Sequence, residues 1–294
     1  MLAWHERKQT CDVHGKKMAW VEEGSGTQIV FLHGNPTSSF LWRDVMKPLS
    51  GQGRLLAPDL IGMGDSDKLS DSGPKRYTLA EQSRYLGGWF DAVVPDGNVV
   101  LVLHDWGGPL GFHWARTHAD RIRGIAYMET IVRPISWSEW PAPSREIFEG
   151  LRSEAGEKLI LERNLFVERI LPGSILRGLS AEEMDEYRRP FVDPGEDRRP
   201  TLTWPRQIPL DGEPQESAEI IAANWEWLQN WDGPKLLVDA EPGAIMKGKI
   251  LDDARGLSNQ MLVKVPGIHF ILEDSGVEIG VALIRWLSST EFLS

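Results

Sequence analysis

The 294-residue sequence predicts an α/β protein with a mostly parallel central sheet, helices on both faces and an inserted helical subdomain. Three observations lead there. Short apolar runs of strand length alternate with segments of helical spacing at both ends of the chain. The alternation stops between Val132 and about Asp211, then resumes. One run, NVVLVLHDWGGPLGFHWAR (98–116), joins a strand, a glycine turn and a helix around a single acid, Asp105.

Taken in order, 10–13 and 18–22 flank His14-Gly15-Lys16-Lys17 as an N-terminal hairpin. Residues 28–33 form the first run that reads as buried on both faces, and Gly34-Asn35-Pro36 ends it in a tight loop. Ser38 or Ser39 caps a helix running to about Leu49. Residues 54–58 give a short strand, followed by the glycine- and aspartate-rich loop DLIGMGDSDK (59–68). Thr78 and Glu81 make a capping box for a helix through Val94. The strand 98–104 and the helix 110–116 come next, then a strand 122–128 ending at Glu129. Residues 132–211 are rich in proline and in Arg/Glu helices, such as 144–157 and 181–189. A structureless loop of that length is implausible in a compact domain, so the segment reads as a mainly helical insertion. A helix at 217–229, strand 235–239, helix 247–255, strand 260–265 and a final helix after Asp274 complete the pattern. The expected organisation is a core of residues 1–131 and 212–294 with a cap of residues 132–211.

Composition narrows the function. Hydrophobic residues make up 41% and charged residues 26%, a globular balance with ample core. The net charge is −11, and Lys and Arg are scattered, leaving no basic stripe for nucleic acid or anionic lipid. Cys11 is the sole cysteine, which excludes an intrachain disulfide and fits a reducing compartment. No apolar signal region opens the chain and no run reaches the roughly 18 apolar residues of a membrane span. A soluble cytoplasmic protein is expected.

Asp105 lies where strand becomes helix, outside the carboxyl end of a central strand, the place where ligands collect in open α/β sheets. The same strand–turn–helix geometry forms a nucleophile elbow; the alternative role is a helix cap. A carboxylate there can displace a leaving group from carbon and form an ester that water then cleaves. Serine attacking saturated carbon would leave a stable ether, so the acid selects chemistry at sp³ carbon. His269, in VPGIHF, is the only histidine after His118 and the natural base. His33 and His104 read as buried, hydrogen-bonded structural residues. For the acid that orients His269, Glu129 and Asp239 or Glu241 end two different strands, and strand periodicity does not choose between them. Trp106 and Asn35 sit on the two loops that frame Asp105; their neutral N–H donors suit a halide leaving group.

HGNPTSSFLWR (33–43), DLIGMGDSDK (59–68), VLHDWGGPLGFHWAR (102–116), YMETIV (127–132), RRPTLTWPRQIP (198–209) and PGIHFILEDS (266–275) together resemble haloalkane dehalogenases of the α/β-hydrolase superfamily. The resemblance runs from about Cys11 to Leu287 and is strongest to the subgroup whose acid follows the strand after the nucleophile. It implies Asp105 as nucleophile, His269 as base, Glu129 as acid (Asp239 becoming the runner-up) and Asn35 with Trp106 as the halide-binding pair. It further implies a helical lid over an apolar pocket, with Phe148, Phe166, Ile170, Pro205, Ile208, Ile245 and Phe270 as lining or tunnel residues. Ser174 stands where the family commonly has a larger apolar residue, implying a wider tunnel. Neither metal nor organic cofactor is implied. The partners are a small apolar halogenated substrate, a halide ion (chloride or bromide) and water, in a monomer or weak homo-oligomer.

Three other readings compete. Epoxide hydrolases use the same aspartate and histidine but need two lid tyrosines, and here only Tyr187 falls in the insertion; their elbow also usually has glycine where this chain has Leu103. Coelenterazine-using luciferases of sea pansies share these motifs, including a stretch like EGLRSEAGEKLILERN (149–164). A ligand receptor that has lost turnover would not need all five of Asp105, Glu129, His269, Asn35 and Trp106.

Overall fold

The computed structural model describes residues 3–290. Eight strands form one sheet in the order β1-β2-β4-β3-β5-β6-β7-β8. β1 (Gln9–Val13) and β2 (Lys16–Glu23) are the N-terminal hairpin, turning at His14-Gly15, and β2 pairs antiparallel with β4 (Arg54–Pro58). From β4 onward through β3 (Gln28–Leu32), β5 (Val99–Asp105), β6 (Ile122–Thr130), β7 (Lys235–Pro242) and β8 (Gln260–Gly267) every pairing is parallel. Every residue of β5 is buried, because helices cover both faces of the sheet at its centre. Helices Leu79–Val93, Gly107–Thr117 and Gln215–Asn230 pack against one another on one side, while Ile271–Ser289 packs with the short helix Arg43–Met46 and against β8.

The expected elements are present, with corrections at their ends. The helix expected to reach Leu49 is a 3₁₀ turn, Ser39–Trp42, followed by a single α turn ending at Met46; Ser38 caps the 3₁₀ turn. Thr78 Oγ1 does accept the Glu81 N–H, but the Glu81 carboxylate receives the Tyr77 N–H at 2.6 Å, so the reciprocal half of the capping box is displaced by one residue. The helix behind the elbow begins at Gly107, three residues before the expected start. The segment expected as one helix over 144–157 is helical from Ala142 to Arg152, breaks at Ser153 and continues through short turns to Glu162. The last helix starts at Ile271, and Ser275 (φ −134°) kinks it next to the start that sequence suggested.

Residues between β6 and Gln215 add no strand to the sheet. Their neck is tied where Asp211 N–H donates to the Ile135 carbonyl at 3.2 Å and Ile135 bridges Leu210. Among the described residues, no helix is long and apolar enough to cross a membrane.

Candidate active site

β5 ends in a strained residue. Asp105 has φ +50°, a left-handed conformation that costs a non-glycine residue about 1–2 kcal/mol. The turn tolerates no bulk on the facing loop: a Cβ on Gly34 would lie 2.0 Å from Asp105 Oδ1 and 2.5 Å from the Trp106 nitrogen. Gly108 is equally confined, since a Cβ there would fall 1.8 Å from Thr130 Oγ1, whose hydroxyl donates to the Asp105 carbonyl at 2.6 Å. These contacts lock the elbow to β6 and to the loop after β3. No side chain caps the helix that follows, so Asp105 is not acting as its N-cap.

The two carboxylate oxygens of Asp105 have different surroundings. Oδ1 accepts the Asn35 backbone N–H at 2.7 Å, and the Trp106 backbone N–H also donates to this carboxylate. Oδ2 faces His269 Nε2 at 3.3 Å. Burial opposes ionisation of Asp105, but the His269 hydrogen bond and charge, with the Trp106 N–H, outweigh it and hold the carboxyl below its usual range.

His269 Nδ1 lies 3.2 Å from Glu129 Oε2. Glu129 reaches this position through a β-bulge: His104 pairs with Met128 and Asp105 with Thr130, leaving Glu129 as the extra residue, with φ +42°. Its carboxylate is then fixed by the backbone N–H groups of Ala244 (3.0 Å), Ile245 (2.9 Å) and Met246 (3.4 Å) in the loop after β7. Asp239, the other candidate acid, is paired with Arg255, while Glu241 lies 3.6 Å from Lys264. Burial would lower the pKa of His269, but hydrogen bonds to Asp105 and Glu129 and their charges push it up to about 9. The ring is an imidazolium at neutral pH, donating from both nitrogens.

The peptide groups of His269 are held from two sides. Its carbonyl accepts His104 Nε2–H at 2.8 Å, and its N–H donates to the Ser174 carbonyl at 3.2 Å. His104 is buried and pushed down to about 3, so it stays neutral and keeps that donor. His33 accepts the Leu60 N–H on Nε2 at 3.0 Å and sits 2.9 Å from the Gly34 carbonyl on Nδ1, which fixes Nδ1 as the protonated nitrogen. Both histidines are the structural residues that sequence suggested.

A cavity of about 1020 Å³ opens onto these groups. Asn35, Asp105, Trp106 and His269 line its floor, and of the expected wall residues Phe148, Phe166, Ile170, Ser174, Pro205, Ile208 and Ile245 are all present. Phe270 is a correction. It is fully buried, 4.7 Å from the His269 ring, at the bend that leads from β8 into the last helix. Sequence reasoning missed Trp140, Leu165 and Ile268 on the wall, whose sequence context carries no distinguishing signal. The Trp106 indole stacks on Trp204 at 4.5 Å and makes no hydrogen bond among the described residues. Asn35 Nδ2 donates to the Thr201 carbonyl at a long 3.4 Å, which leaves one of its two N–H groups free for an anion.

A carboxylate in left-handed backbone on a strand-to-helix elbow, held by two backbone N–H groups and facing a histidine–glutamate pair, defines an α/β hydrolase that attacks through an acid side chain. The family model for the α/β hydrolase fold matches residues 27–275. Over 280 residues the chain is 52% identical to a haloalkane dehalogenase of Sphingobium indicum, covering 95% of each. A solved haloalkane dehalogenase from Bradyrhizobium elkani superposes with a TM-score of 0.92 at 38% identity, covering 98% of this chain and 99% of that one. The chain belongs to the haloalkane dehalogenase family. It is also 40% identical, over 88% of its length and 83% of the relative's, to a coelenterazine h 2-monooxygenase of Renilla reniformis.

Proposed function

We propose that the protein hydrolyses haloalkanes to alcohol, halide and a proton, with Asp105 as nucleophile, His269 as base, Glu129 as its orienting acid and Asn35 with Trp106 as the halide-binding pair. The reading rests above all on the unequal oxygens of Asp105. Oδ2 attacks the halogen-bearing carbon from the side opposite the halogen, and the carbon–halogen pair of electrons leaves on the halide. The free amide N–H of Asn35 and the indole N–H of Trp106 stabilise that anion without offering it an acidic proton. The product is an ester on Asp105.

Alkylation removes one of the two negative charges that keep His269 protonated. The ring then loses its proton more readily and becomes a base. It takes a proton from water, which attacks the ester carbon, and negative charge develops on Oδ1, where the Asn35 backbone N–H already points, with the Trp106 N–H donating to the same carboxyl group. Collapse releases the alcohol and restores the carboxylate. The sum is RX + H₂O → ROH + H⁺ + X⁻, with no cofactor.

We assign residues 132–211 as the cap, which supplies Trp140, Phe148, Phe166, Ile170, Ser174, Pro205 and Ile208 to the cavity and excludes bulk water from the ester. The protein is assigned to the cytoplasm as a monomer or weak homo-oligomer. The test is halide release with acidification from 1-bromobutane and 1,2-dibromoethane. In parallel, His269→Phe incubated with 1-bromobutane should gain the mass of one butyl group on Asp105. No halide from a panel of chloro- and bromoalkanes refutes the activity, and an adduct on another residue refutes the nucleophile.

A further inference from the structure

The cavity wall carries charges that the dehalogenation chemistry does not use. Glu139, Arg169, Lys247 and Lys249 all line it, far along the chain from the catalytic elbow. Two of them are neutralised within a run of ion pairs. Glu139 pairs with Arg133 at 2.6 Å, Arg133 with Asp253 at 2.7 Å, and Asp253 with Lys249 at 2.9 Å, so these four charges cancel. Arg169 and Lys247 are different. Both are exposed, and among the described residues neither side chain makes a hydrogen bond or an ion pair. They come from two separate segments of the wall: Arg169 from the cap turn Phe166–Ile170, and Lys247 from the loop between β7 and the helix Gly248–Arg255.

Two uncompensated cations on the wall of an apolar cavity stand out in a chain of net charge −11. Two like-charged side chains on the wall of one cavity lower the energy of an anion held beside them. A carboxylate held there remains partly hydrated, so it does not carry the full desolvation penalty of a buried ion. The floor, by contrast, is where the carbon–halogen bond is held, beside the Asp105–His269 pair. The wall suits a methylene chain joining the two.

We propose that this cavity takes halogenated substrates with an anionic far end, the class of ω-haloalkanoates, with the halogen at Asp105 and the carboxylate beside Arg169 and Lys247. The proposal rests on the dehalogenase reading and deepens it. It names a charge preference at the outer end of the site that the triad and halide pair do not set. Because the two cations are exposed, each contributes modestly and is screened by salt.

The experiment compares ω-bromoalkanoates of six, eight and ten carbons with the ω-bromoalkanols of the same lengths, in the wild type and in an Arg169→Gln/Lys247→Gln double variant. The expected result is that the double substitution lowers kcat/KM for at least one bromoalkanoate by about threefold to tenfold, mainly through KM. The matched bromoalkanol stays within about twofold, and the bromoalkanoate advantage shrinks as ionic strength rises. Charge reversal, Arg169→Glu/Lys247→Glu, should deepen the loss for the acid only. The proposal is overturned if bromoalkanoate turnover is unchanged by both double variants, or if acid and alcohol fall together. Turnover of the bromoalkanols alone refutes the anionic preference while leaving dehalogenation intact; halide release from neither series refutes both.

Discussion

Asp105→Asn isolates the charge that sets the protonation state of His269. The amide keeps the shape of the side chain and an acceptor for the Asn35 N–H, which lies 2.7 Å from Oδ1, and it removes one of two anions in contact with the ring. An opposite charge at such distances moves a pKa by about 1–3. His269 should therefore fall from about 9 to roughly 6–8, a loss of about 1.4–4 kcal/mol in the preference for imidazolium. The variant imitates the electrostatics of the ester, so its titration reports the ring as it stands when water is activated. The assay is a pH titration of ring carbon and proton shifts in histidine-labelled protein, with His269 assigned by its disappearance in His269→Gln. Stability gives a second reading. A ring whose folded pKa is raised contributes stability that is complete below about 6.5 and is lost as pH rises through about 9. The wild type should lose stability across that window, and Asp105→Asn should lose less. A wild-type ring titrating at or below 6.5, or an unchanged value in Asp105→Asn, would refute the reasoning.

Glu129→Gln should slow ester hydrolysis by tenfold or more and accumulate alkyl-enzyme by intact mass, since it removes the anion behind His269 and turns an amide toward backbone donors. Asp239→Asn, which weakens only the pair with Arg255, should leave turnover within about twofold; the reverse order would move the acid to β7. His104→Phe leaves the His269 carbonyl without its buried donor and should cost about 1–3 kcal/mol in denaturant unfolding, with kcat falling more than KM rises. Gly108→Ala drives a methyl into Thr130 Oγ1 and should destabilise by about 1–3 kcal/mol, again by denaturant titration; a neutral result would contradict the packing of the elbow.

Residue pattern alone was enough for the sheet class, the elbow and chemistry at sp³ carbon. β5 is a seven-residue run buried throughout, and nothing except a doubly covered central strand needs such a run. The glycines after Asp105 were legible because close approach of backbone to backbone leaves no room for a Cβ. The wall of the cavity was largely legible through family resemblance, with Phe270 as the exception.

What sequence could not choose was decided by long-range geometry. Glu129 and Asp239 both end parallel strands, and local pattern treats them alike. Glu129 is aimed at His269 by a one-residue bulge and by three N–H groups from a loop more than 110 residues away. Asp239 is turned away because Arg255 is within reach. The charge on His269, the clamp on its peptide by His104 and Ser174, and the lack of partners for Arg169 and Lys247 depend likewise on what surrounds each group in space. Periodicity records which face a side chain takes; only the folded chain sets the neighbours that give it a charge state and a partner.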